Sequence, residues 1–142
     1  MPMIESVVQR IAICYPTESL SGQVAHWARW HDDCMVEPVF GRSAMAIRRS
    51  LDGADMALVD ASDDHAQAID LFLQAVARLG TRRVAVYTER MHEGLELFVR
   101  TQGAWLLLGP LTNEQWEDFF SSMLSPSQGE PARGRIPRRR AA

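Results

Sequence analysis

Asp60 closes the apolar run Met56-Ala57-Leu58-Val59, and a polar loop, residues 61–64, follows it. A carboxylate at the carboxyl end of a buried strand stands where open α/β sheets bind their ligands, so Asp60 is a candidate functional residue. Its plainer role is a turn former at a strand end. Glu18, Asp63, Asp64 and Glu89 fall in loops of the same rim and are candidate Mg²⁺ ligands or solvated loop residues. All 15 basic residues are arginine. Schiff-base and phosphate-loop lysine chemistry are therefore excluded.

Other reactive groups are weaker. Thr17-Glu18-Ser19-Leu20-Ser21-Gly22 opens a helix after the first apolar run, and its hydroxyls and N–H groups could cradle the phosphate of a flavin or nucleotide. Hydroxyls are also ordinary helix caps, and Glu18 places negative charge in the loop. Cys14 has no cation nearby in sequence to lower its pKa and reads as a small buried hydrophobe. His26, His31, Asp32, Asp33 and Cys34 are the one metal-like cluster, but His26 and His31 do not share a helix face. No metal site is assigned there, and His65 and His92 receive no role.

The elements that must position these residues follow from periodicity. Apolar runs at 11–14, 35–40, 56–60, 84–87 and 105–108 predict five strands, the second weakened by Pro38 and so near an edge. Between them lie helical spacings: Leu20, Val24 and Trp27, on a helix reaching about His31; Ala44, Ile47 and Leu51; Ile69, Phe72, Leu73, Val76 and Leu79; Leu95, Phe98 and Val99. A last helix carries Trp116, Phe119, Phe120, Met123 and Leu124. Strands without polar alternation, each followed by a helix, predict an α/β fold: a doubly wound, five-stranded parallel sheet with helices on both faces, flavodoxin-like (βα)5.

Residues 1–124 form the predicted domain and carry ten arginines against 17 acids, a net −7. Residues 125–142 form a basic, Pro/Ser/Gly-rich tail with five arginines against Glu130, expected to be disordered. The tail arginines, Arg133, Arg135, Arg138, Arg139 and Arg140, suit an acidic partner, the chain's own acidic body, or weak nonspecific contact with nucleic acid. Residues 1–10 contain Glu5 and no basic stretch ahead of an apolar block, and no apolar run is long enough for a membrane span. A cytoplasmic location without membrane contact is expected, with both cysteines reduced.

From Arg10 to Leu124 the chain resembles the receiver (CheY-like) domain of two-component response regulators. Ala54-Asp55-Met56-Ala57-Leu58-Val59-Asp60 is similar to that family's third strand ending in the phosphoacceptor. Val84-Ala85-Val86-Tyr87-Thr88 resembles the fourth strand, ending in a phosphoryl-contacting hydroxyl. Gly103-Ala104 and Gly109-Pro110-Leu111-Thr112 resemble the bounds of the last strand and the turn that follows it. The resemblance implies an acidic pair after the first strand and a lysine before the proline, but those positions hold Tyr15, Pro16 and Gly109. It also implies that Trp105 and Leu106 stand near the family's switch aromatic, and that Trp105 and Trp116 lie near the face used for partners.

The expectation is thus a degenerate receiver, or pseudo-receiver. It would be a signalling module that binds a protein partner, with a homodimer as a second arrangement, without catalysis and without a resident cofactor. An atypical receiver phosphorylated on Asp60 with Mg²⁺, and a flavin or nucleotide binder at the Thr17 loop, are the alternatives.

Overall fold

The computed structural model describes residues 8–40 and 43–124. The basic tail lies outside the described residues, as do residues 1–7. Strands β1 (Gln9–Cys14), β2 (Cys34–Val39), β3 (Met56–Asp60), β4 (Val84–Thr88) and β5 (Trp105–Leu108) form one parallel sheet in the order β2-β1-β3-β4-β5. Helices α1 (Glu18–Ala28), α2 (Ala44–Asp52), α3 (His65–Leu79), α4 (Glu93–Gln102) and α5 (Asn113–Leu124) make the crossovers. This is the flavodoxin-like (βα)5 arrangement, with helices on both faces of the sheet.

Successive strand residues point to opposite faces, and the core divides accordingly. Ala12, Cys14, Ala57, Val59, Val84 and Val86 meet α2, α3 and α4 through Leu51, Phe72 and Val99. Ile11, Ile13, Met56, Leu58, Ala85 and Tyr87 meet α1 and α5 through Val24, Trp27, Trp116 and Phe120. β1, β3 and β4 are paired on both sides, which is why their sequences read as unbroken apolar runs.

Caps fix the helix starts at the sheet's carboxyl rim. The side chains of Thr17, Ser43, Asp64 and His92 accept from the N–H groups of Leu20, Ala46, Gln67 and Leu95. Gly103, with φ of 77°, ends α4 in the left-handed region that favours glycine. Among the described residues no helix is long and apolar enough to cross a membrane.

Several boundaries and faces differ from the periodicity. α1 stops at Ala28, and a turn carries the chain through His31 to Cys34, which opens β2. Phe40 falls beyond β2 and is exposed. α3 is rotated: Ala68, Leu71, Phe72 and Ala75 face the core, while Leu73 is 47% exposed. Small alanines let that helix approach the sheet closely, a signal that counting large apolar residues passes over. Trp116 is 0% exposed, at the centre of the α1–α5 side. It sits in the core, with Tyr87, Phe119 and Phe120 around its ring.

Candidate functional site

Asp60 lies 6% exposed at the end of the central strand, with both carboxylate oxygens engaged. Oδ2 accepts from the Thr17 N–H and the Thr17 hydroxyl, each at 2.8 Å, and Oδ1 accepts from the Ser62 N–H at 2.9 Å. Tyr15 makes the Thr17 contact geometrically feasible: its φ of 49° turns the chain sharply after β1, and its hydroxyl donates to the Phe40 carbonyl. Pro16 follows, and Thr17 then presents two donors to Asp60 while capping α1. Tyr15 and Pro16 thus form a turn that brings the Thr17 donors to the aspartate.

Thr88 is buried and closes its own loop. Its hydroxyl donates to the Arg90 carbonyl at 3.0 Å and accepts from the Arg90 N–H at 3.2 Å. The register sets Asp60 opposite Tyr87, one residue short of Thr88.

Gly109 lies against the ring of Tyr87. A Cβ at this position would come within 2.4–2.6 Å of Cε2, Cζ and the hydroxyl of Tyr87. Any side chain there would require the Tyr87 ring to move. The Tyr87 ring occupies the space above the β5–α5 turn, and the Gly109 N–H donates to the Thr88 carbonyl at 2.9 Å.

Around Tyr87 is a polar network with no counterpart in the sequence reading. The Tyr87 and Ser19 hydroxyls both donate to the Glu89 carboxylate. Gln23 Nε2 lies 2.9 Å from the Ser19 and Tyr87 oxygens and 3.2 Å from Glu89. The Gln23 carbonyl accepts from the Leu111 N–H at 2.9 Å and from the Trp116 indole at 3.1 Å. One glutamine thereby joins α1, β4, the β5–α5 turn and α5. The Ser19 and Tyr87 hydroxyls hold the Glu89 carboxyl below its usual range, while burial, reinforced by the Glu89 carboxylate, pushes the Tyr87 phenol up. A lone Gln on a helix has no periodic signature, so sequence inspection had no means of finding it.

The remaining chemical candidates are dispersed. Glu89 is tied to Ser19 and Tyr87, and Asp64 caps α3. Among the described residues no three His, Cys, Asp or Glu side chains stand where they could hold a metal. Burial raises the Cys14 thiol to about 12, and burial together with Asp33 raises Cys34 to about 11. Both thiols are therefore poor nucleophiles near neutrality. His31 Nε2 meets Glu117 at 2.8 Å, and the Trp27 indole donates to the same carboxylate at 2.9 Å. His65 and His92, far apart in sequence, bring their rings within 4.2 Å between the starts of α3 and α4. In the Thr17 loop, Thr17 and Ser19 are committed to Asp60 and Glu89, so neither hydroxyl is held open for a phosphate.

Fold and rim together define a flavodoxin-like domain with a buried aspartate at the end of its central strand, both of whose carboxylate oxygens accept hydrogen bonds. No family model and no curated protein matches the sequence. Solved structures share the fold. The pilus assembly protein CpaE from Caulobacter crescentus CB15 aligns with a TM-score of 0.58 at 14% identity, over 84% of this chain and 96% of that one. A pilus assembly-related protein from Burkholderia pseudomallei K96243 aligns with a TM-score of 0.60 at 19% identity, over 87% and 94%. A protein described as CpaE2, from Sinorhizobium meliloti 1021, gives a TM-score of 0.57 at 17% identity, over 81% and 99%. At these identities the likeness is one of fold.

Proposed function

We propose that the chain is a receiver-like protein-interaction module whose working state does not depend on phosphorylation of Asp60, and that it is not an enzyme. The observation that carries this reading is the closed Asp60 pocket. A phosphoacceptor needs a free carboxylate oxygen, a metal neutralising the moving charge and a nearby cation. Here both oxygens have donors from neighbouring loops, and Tyr87 fills the space beside Gly109 where a lysine would enter.

The docking face in this reading is built by α4, β5 and α5. β5 is an edge strand of apolar residues, with Trp105, Leu106 and Leu107 half-buried and Leu108 40% exposed. Leu97 on α4 is 67% exposed. An apolar sheet edge beside an exposed leucine favours a protein partner over a small molecule. The fold relatives named as pilus assembly proteins support an assembly component as that partner.

Two measurements test the proposal. Intact mass is recorded after incubation with a small phosphoryl donor, with and without Mg²⁺, for the native chain and Asp60→Asn. The expected result is no adduct, and a metal-dependent adduct lost in Asp60→Asn would overturn the proposal. Cross-linking in cells then compares the native chain with Leu97→Glu and Leu108→Glu, which should lose the captured protein while keeping native circular dichroism.

A further inference from the structure

Among the described residues five side chains cap the five helices, and one of them is an imidazole. Thr17, Ser43 and Thr112 cap α1, α2 and α5 through hydroxyls, and Asp64 caps α3 through a carboxylate. α4 is capped by His92, whose Nδ1 accepts from the Leu95 N–H at 3.2 Å. An imidazole nitrogen accepts only while it carries no proton, and histidine is the side-chain type that changes charge in the physiological pH range. With Nδ1 accepting, the neutral ring carries its proton on Nε2, so a further proton must enter at Nδ1. Proton uptake therefore turns the acceptor of this cap into a second donor facing the Leu95 N–H.

The surroundings work against that charge. His92 stands at the start of α4 and His65 is the first residue of α3, and a cation is disfavoured at either helix start. The two ring centroids lie 4.2 Å apart. His65 Nε2 is buried and has no hydrogen-bond partner among the described residues, so a proton held there meets no acceptor. The charged groups of the adjoining segments are Asp63 and Asp64 ahead of α3, Arg90 ahead of His92, and Glu93 and Glu96 in the first turn of α4. Asp64 is committed to the Gln67 N–H, and Glu96 is paired with Arg100 at 3.3 Å. Asp63, Arg90 and Glu93 are exposed, so solvent and salt screen their action on the rings. Val99 is fully buried one turn beyond Leu95 and keeps the body of α4 in the core, which confines any release to the first turn.

We propose that His92, backed by the His65 ring, is an acid-released latch on α4: the neutral imidazole caps the helix, and proton uptake at Nδ1 lets its first turn open. The latch acts on α4, one wall of the α4–β5–α5 docking face, but it does not depend on that reading, and its test needs no partner.

The test follows ring signals, amide signals and amide exchange of the isotope-labelled full-length chain from about pH 8 to about pH 5. The Leu95 amide signal should track the titration of the His92 ring. Leu95 protection, corrected for the intrinsic pH dependence of exchange, should fall roughly fivefold, the usual effect of losing a helix cap. Gln67, capped by Asp64 on the neighbouring helix, should keep its protection and serves as the internal reference. His92→Asn supplies an acceptor that does not titrate and should hold Leu95 protected throughout, whereas His92→Ala should show the low protection at every pH. His65→Leu removes the second charge and should leave a smaller release. The proposal is overturned by Leu95 protection that ignores the His92 titration, by equal losses at Leu95 and Gln67, or by a loss that persists in His92→Asn. A release as large in His65→Leu as in the native chain would overturn the part assigned to the second ring.

Discussion

Asp60 holds two loops together through its carboxylate, and the cost of removing it follows from the donors it would leave behind. Asp60→Ala strands the Thr17 and Ser62 N–H groups in a buried site and should lower stability by about 1–3 kcal/mol, read as a shift in urea midpoint at unchanged slope. Asp60→Asn keeps a carbonyl acceptor and should lose less. Gly22 gives the opposite expectation: it is a helix-interior glycine facing open space, so Gly22→Ala should stabilise the chain by roughly 0.5–1 kcal/mol. The same comparison shows what the sequence could reveal at this scale. The position of Asp60 was legible because an apolar run stops at it. Its partner Thr17 was not, because a contact across 43 residues leaves no local trace. Gln23 and Gly109 were hidden for the same reason, their roles being set by Tyr87 from another strand.

Among the elements, the strands were the most legible, since full burial on both faces writes itself as continuous apolar sequence. Helix faces were less so. α3 contacts the sheet through Ala68 and Ala75 as well as Leu71 and Phe72, and small residues carry no weight in a hydrophobic count. What joins the elements at the rim is the Gln23 network, and it should be sensitive to substitution. Gln23→Leu leaves the Trp116 indole and the Leu111 N–H without their acceptor, for an expected loss of about 1–3 kcal/mol in denaturant unfolding. The network also sets a pH window. Glu89 is held below its ordinary pKa, so its contribution is complete above the unfolded carboxylate range and is lost as pH falls through the lower folded value. Tyr87 is raised, so its contribution is complete below the unfolded phenol value near 10 and is lost as pH rises through the higher folded one. Stability measured against pH should decline at both extremes. Glu89→Gln should flatten the acid limb, leaving a smaller decline from other carboxylates such as Glu117, whose pKa is also lowered by the Trp27 indole.

For the molecule as a whole, the strand order β2-β1-β3-β4-β5 places the three doubly paired strands at the centre and leaves two edges. Amide exchange should be slowest in β1, β3 and β4 and faster in β2 and β5, as edge strands open without global unfolding. Equal protection across all five would show β2 or β5 covered in solution and would bear directly on the docking face. The pairing of Tyr87 with Gly109 has a further meaning for how such a chain can change over generations. Lysine placed at position 109 collides with the ring, and shrinking Tyr87 alone leaves a void and breaks the Glu89 network. Either change is a loss by itself, so the two positions are epistatic. A side chain at position 109 and the tyrosine at position 87 are thus alternatives for one volume, and the chain can exchange them only by changing both together.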